Sequence, residues 1–148
     1  MNAGTHTHRT RVRYAETDQM GVVHHASYLL YLEDGRTRLM EERGLPYTQI
    51  ERSGLGLPVR RVELRFREAA LYGDELCVLT RVSRLRAASV AFDYEIRRAD
   101  DDTLLATAWL ELACVDLSAP GRPVAPLPDA VRECLESAEP PSARVSED

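Results

Sequence analysis

The sequence predicts an α+β fold, one mostly antiparallel sheet laid on one principal helix, and three observations predict it. Residues 27–43 contain no proline and repeat Tyr28, Leu32, Leu39 and Met40 near helical spacing. Several segments of the second half alternate apolar and polar residues, the period of a strand with one face on a core. The connections between them are short, which favours antiparallel pairing. Such a sheet needs cover on its apolar face, and the helix at 27–43 is the only large candidate.

In chain order, residues 1–8 are small and polar and read as a disordered tail, with His6 and His8 able to hold a metal only if other ligands came to them. A first strand is expected over 10–15, ending in an acidic turn at Asp18. The helix follows for about four to five turns, with Ser27 as N-cap and Gly44 and Pro46 as the stop. Gly35 lies inside it at a cost of about 1 kcal/mol relative to alanine, so its missing side chain is expected to admit another backbone. Glu33 and Arg36, three apart, are expected to pair locally as supporting structure. A short helix near 48–53 and a turn-like Gly54-Leu55-Gly56 come next. Val62, Leu64 and Phe66 alternate with Glu63, Arg65 and Arg67, and 75–84 puts Leu76, Val78 and Val82 on one face. Val90, Phe92, Tyr94 and Ile96 alternate in the same way, and 104–115 forms the last strand, with the only tryptophan, Trp109. A short helix around 129–137 precedes a proline-bearing tail, 138–148, expected to be disordered.

A chain of 148 residues with 44% hydrophobic side chains has the size of one domain, expected over 9–137. A formal net charge of −5 argues against nucleic acid as a partner. No apolar run could span a bilayer and the start lacks the apolar segment of a secretory signal. A cytoplasmic protein without membrane insertion is therefore expected. Cys77, Cys114 and Cys134 are widely spaced, fit no metal motif and read as buried thiols. Arg60, Arg61, Arg65, Arg67, Arg81, Arg84 and Arg86 present donor forks suited to phosphate, although on a wet strand face arginine usually only solubilises.

The stretch that organises the chain lies just before the helix, Thr17-Asp18-Gln19-Met20-Gly21, followed by Val22, Val23, His24 and His25. A carboxylate beside the N–H groups of a helix start could act on a thioester, whose tetrahedral oxyanion such donors stabilise. Taken alone, the residues describe more simply an aspartate that caps a turn. Two adjacent histidines do not direct both rings into one metal site.

The run from Tyr14 to Tyr28, with Glu33 and Arg36 behind it, resembles the signature of hot-dog-fold acyl-CoA thioesterases of the 4-hydroxybenzoyl-CoA thioesterase family, the Tol-Pal-associated branch above all. The strand–helix–four-strand order extends the likeness over most of residues 9–118. The resemblance implies a hot-dog fold, a five-stranded antiparallel sheet wrapped around one long central helix, and an enzyme that hydrolyses acyl-CoA to a carboxylate and coenzyme A. It implies that Asp18 is the catalytic carboxylate, as nucleophile or general base, and that His25 lies at the active site. Backbone N–H groups of Val23, His24 and His25 become the expected oxyanion donors. Tyr28 is expected at the acyl site, though an aromatic on a core helix more often packs, and Arg86 and Ser89 near the coenzyme. No metal and no cofactor beyond the coenzyme A of the substrate is implied. A homodimer or a tetramer with shared active sites is expected, in keeping with the open edges of a five-stranded sheet. Two other readings are a hot-dog acyl-CoA dehydratase or hydratase, and a module that binds acyl thioesters without turnover.

Overall fold

Alternation along the strands sorts one row of side chains toward a helix and the other outward. The computed structural model describes residues 4–136. Strands β1 (His6–Arg11), β3 (Val59–Phe66), β4 (Glu75–Leu85), β5 (Ser89–Arg98) and β6 (Leu104–Ala113) form one antiparallel sheet in the order β1-β4-β5-β6-β3. Helix α1 (Ser27–Glu42) lies across it, α2 (Tyr47–Arg52) follows, and α3 (Asp129–Glu136) closes the described chain. Two short strands, β2 (Leu55–Gly56) and β7 (Val115–Asp116), pair beside the sheet. Among the described residues no helix is long and apolar enough to cross a membrane.

The register places Thr80, Tyr94, Ala108 and Leu64 in one row across β4, β5, β6 and β3. This row and its neighbours Val78, Phe92 and Ile96 meet Tyr28, Tyr31, Leu32 and Leu39 of α1 in the core. Each fully buried leucine or phenylalanine there contributes about 1.5–3 kcal/mol. Gly35 explains how close the helix comes: a Cβ on it would meet Thr80 Oγ1 at 2.5 Å and Val78 Cγ1 at 3.0 Å. The neighbour that requires glycine is thus a pair of side chains, not the backbone expected from sequence.

The outer face of the sheet carries the arginines, and most are paired there. Glu111 accepts hydrogen bonds from Arg60 at 2.9 Å and Arg84 at 3.4 Å, Arg81 donates to Asp93 at 3.2 Å, and Arg65 lies 3.5 Å from Glu63. Arg61 and Arg84 stack on Trp109 at 5.3 and 5.7 Å.

Several expectations need correction. Residues 6–8 belong to β1, because they pair with Val78 to Thr80 of β4, and the His6–Glu42 pair and the Arg43 hydrogen bond to the Gly4 carbonyl at 3.1 Å tie this strand to the end of the helix. The first strand accordingly ends at Arg11, and Tyr14–Glu16 is a 3-10 turn. Leu55–Gly56 is a strand because it pairs with β7, and this pairing also separates β7 from the long last strand. Cys114 and Cys134 are buried, whereas Cys77 is half-exposed. Glu33 and Arg36 form no ion pair with each other among the described residues. Residues 1–3 and 137–148, including the tail expected at 138–148, lie outside the described residues.

Candidate active site

The site is built on a loop whose base and tip are held differently. At the base, the Glu16 carboxylate is 7% exposed. It accepts four hydrogen bonds, from Arg13 N–H at 2.9 Å, Arg13 Nε at 3.1 Å, Arg13 Nη2 at 3.0 Å and Tyr31 OH at 2.8 Å. Burial opposes its charge, but the donors from Arg13 and Tyr31 outweigh that and hold the carboxyl below its ordinary range. The same residue's carbonyl accepts from His24 N–H at 2.8 Å and from Ser27 Oγ at 3.2 Å. Glu16 thereby fixes both the start and the end of the loop to α1. Ser27 is the first residue of the helix rather than its cap, and His24 Nδ1 serves the helix start instead, accepting from Ala26 N–H at 3.1 Å.

At the tip, Gly21 N–H donates to the Asp18 carbonyl at 3.0 Å and Asp18 N–H to the Val22 carbonyl at 2.9 Å. Gly21 has φ +78°, a conformation that costs other residues about 1–2 kcal/mol. Asp18 Oδ1 accepts from Met20 N–H at 2.8 Å. Among the described residues its Oδ2 has no hydrogen bond. Asp18 is half-buried and lines a cleft of about 320 Å³ together with His25, Val23, Tyr28, Phe66 and Arg67.

The three expected oxyanion donors are not equivalent. Val23 N–H donates to the Ala70 carbonyl at 2.8 Å and His24 N–H to Glu16, so neither is available to a substrate. This corrects the expectation for both. His25 N–H alone makes no hydrogen bond among the described residues. It sits where the helix begins, with Tyr28 N–H already donating back to the His25 carbonyl at 3.3 Å, and so in the positive field of the helix terminus. The His25 ring stacks on that of His24 with centroids 4.2 Å apart.

Tyr28 lines the cleft and also packs, edge-on to Phe66 at 5.1 Å and to Tyr31 at 5.9 Å. Arg86 and Ser89 lie elsewhere. They close the turn after β4, Arg86 N–H donating to the Ser89 carbonyl at 2.9 Å, while Asp74, at the other end of β4, accepts from Val12 beside the cleft. The length of β4 puts on the order of 35 Å between them and Asp18 of the same chain. Of the arginines suited to phosphate, Arg67 is the one on the cleft. Sequence reasoning missed Glu16 and Phe66. The i,i+3 spacing of Arg13 and Glu16 was a usable signal, but the Tyr31 hydroxyl that completes the cluster is fifteen residues on and was not.

A five-stranded antiparallel sheet laid on one long helix is the hot-dog fold. A model of the thioesterase-like superfamily matches residues 12–135, and the chain belongs to that superfamily. YbgC of Haemophilus influenzae, an acyl-CoA thioesterase, is 36% identical over 110 residues, 72% of this chain and 78% of that one. YneP of Bacillus subtilis is 38% identical over 85 residues, 57% of this chain and 62% of that one. The crystal structure of Slr0204 from Synechocystis, a 1,4-dihydroxy-2-naphthoyl-CoA thioesterase, superposes with a TM-score of 0.83 at 29% identity, covering 93% of this chain and 100% of that one. Fold, family and relatives make the chain a thioester hydrolase.

Proposed function

We propose that the protein hydrolyses an acyl-CoA thioester to the free acid and coenzyme A, with Asp18 as the reacting carboxylate and His25 N–H as the oxyanion donor. One observation carries the reading: among the described residues His25 N–H, alone of the three expected donors, makes no hydrogen bond, and His25 lines the same cleft as a carboxylate with a free oxygen. The thioester carbonyl oxygen takes the proton of His25 N–H as a hydrogen bond, which grows stronger as charge develops on it. The acyl carbon then faces Asp18. Direct attack releases coenzyme A thiolate and leaves a mixed anhydride for water to open; alternatively Asp18 takes a proton from the water that attacks. A burst of coenzyme A ahead of acid release marks the first route and equal rates mark the second.

The same proposal includes a homodimer through β3. Among the described residues this strand pairs only with β6, and its helix-side row is left open, Val62 being 39% and Phe66 52% exposed. Opposite Val59 of β3 lies Leu112, and Val90 and Ser89 follow at that end of the sheet. Antiparallel pairing of two β3 edges would therefore bring the Arg86–Ser89 turn of a second copy toward the Asp18 cleft of the first. Arg86 and Ser89 keep their expected place near the coenzyme only in this way. Phe66→Asp should turn a dimer into a monomer in sedimentation; an unchanged mass would remove β3 as the interface. The cytoplasmic location expected from sequence belongs to this proposal as well.

The test is coenzyme A release from short, long and aromatic acyl-CoAs by the wild type and Asp18→Asn, with enoyl-CoA hydration assayed alongside. Release that needs Asp18 supports the reading. Hydration without release, or a variant of full rate, overturns it.

A further inference from the structure

The seam between α1 and β3 holds a second cavity, about 420 Å³, that shares no lining residue with the Asp18 cleft. Met40, Leu57, Val59 and Leu112 make most of its wall apolar, and Arg36 and Glu33 enter it from the helix. Arg36 is half-buried. Among the described residues it forms no ion pair, and its Nη1 is buried without an acceptor. Glu33 is exposed at the rim.

Two more polar atoms lie at the same turn of the helix. Tyr94 Oη and Thr80 Oγ1 are buried behind the cavity wall rather than on it, in side chains 1% and 0% exposed, and both residues pack against Gly35. Burial pushes the Tyr94 hydroxyl up to about 12, while the Arg36 charge and a side-chain hydrogen bond with Arg36 pull the other way, which puts the guanidinium against that hydroxyl. Folded proteins leave few buried polar groups unsatisfied and rarely bury an unpaired charge. A guanidinium offers only donors, whereas a hydroxyl both donates and accepts. The Tyr94 hydroxyl beside the guanidinium can accept but is neutral, so among the described residues the Arg36 charge has no counterion, and an anion would supply one.

We propose that this cavity binds a carboxylate on an apolar body, with the carboxylate on Arg36 and the body against Met40, Leu57, Val59 and Leu112. Two sources share that chemistry: a free carboxylic acid, such as thioester hydrolysis liberates, and the carboxylate at the far end of an acyl group. The choice of these sources rests on the proposed hydrolase activity; the anion site itself rests on Arg36 and the cavity.

Calorimetric titration of the full chain with octanoate and with octanamide tests the site, and the kcat/KM ratio of suberoyl-CoA to octanoyl-CoA tests the acyl source. Octanoate should bind the wild type and Asp18→Asn alike, and octanamide about tenfold or more weakly, a ratio corresponding to about 1.4 kcal/mol. Arg36→Met should lose the preference for octanoate, and, where the carboxylate comes from the acyl group, the suberoyl preference too. Thr37→Trp, which fills the cavity from the helix side, off the β3 edge, and leaves Arg36 in place, should abolish octanoate binding and guards against misfolding of the arginine variant. Octanoate that binds Arg36→Met and Thr37→Trp as it binds the wild type overturns the site. So does a wild type that binds no octanoate while Arg36→Met falls apart into monomers, since a second copy then supplies the acceptor. Binding through Arg36 in a protein that hydrolyses no acyl-CoA keeps the site and removes the activity, so the two failures are distinguishable.

Discussion

Glu16 and Asp18 stand two residues apart, and the loop treats them in opposite ways. Glu16, at the base, is buried and takes four donors, while Asp18, at the tip, takes one from Met20 and keeps an oxygen free on the cleft. A carboxylate surrounded by donors is a structural anchor, because every lone pair that could attack or accept a proton is already committed. A carboxylate held at one oxygen is positioned and still reactive. The backbone repeats the contrast. Val23 and His24 N–H groups are spent on Ala70 and Glu16, and His25 N–H is left over. The loop thus uses its base to fix the geometry of its tip.

The largest effect that would sharpen this contrast is at Asp18. Asp18→Asn keeps the shape and the Met20 hydrogen bond but removes the charge, so kcat should fall by about 10²–10⁴-fold with the circular dichroism spectrum and unfolding midpoint unchanged. A comparable loss of stability would mean that the tip, too, is structural. Glu16→Gln should do the reverse, costing about 2–3 kcal/mol of stability in denaturant unfolding at pH 7.

The sign of the pH effect follows from the direction of the Glu16 shift. Its folded carboxyl is held below the ordinary range, so its contribution is complete above the unfolded pKa and disappears as pH falls through the folded one. The stability gap between wild type and Glu16→Gln should therefore shrink from pH 7 to pH 3. An equal gap at both values would show that Glu16 is not an ionised anchor. The smallest effect is expected at Gly21→Ala, about 1–2 kcal/mol for forcing a side chain into φ +78°, seen as a lower melting temperature. If that variant is as stable as the wild type, the turn carrying Asp18 is looser than its hydrogen bonds indicate.

Much of the architecture was legible because local patterns carry it. The helix over Ser27–Glu42 is marked by its apolar spacing and by Gly44 at φ +91°, and β3 to β6 by alternation that the register turns into one helix-facing row. What escaped is held by contacts distant in sequence. His6 to His8 have no strand pattern of their own, but they pair with Val78 to Thr80 of β4. Leu55–Gly56 becomes a strand only by meeting Val115–Asp116. In the site, Asp18 and His25 were readable from the motif and do share one cleft. The engagement of Val23 and His24 was not readable, since their acceptors belong to Ala70 and Glu16. Arg86 and Ser89 were placed with the site by likeness, and the fold puts them at the other end of β4.

The central claim is geometric: one acyl carbon must reach Asp18 while its oxygen reaches His25 N–H. A crystal structure with a ketone analogue of acyl-CoA, a methylene replacing the thioester sulfur, measures both distances at once. The account predicts the carbonyl oxygen about 3 Å from His25 N and the carbonyl carbon within about 3.5 Å of Asp18 Oδ2, or of a water bound to it. A ketone seated away from this cleft, or with its oxygen on donors other than His25 N–H, would contradict it.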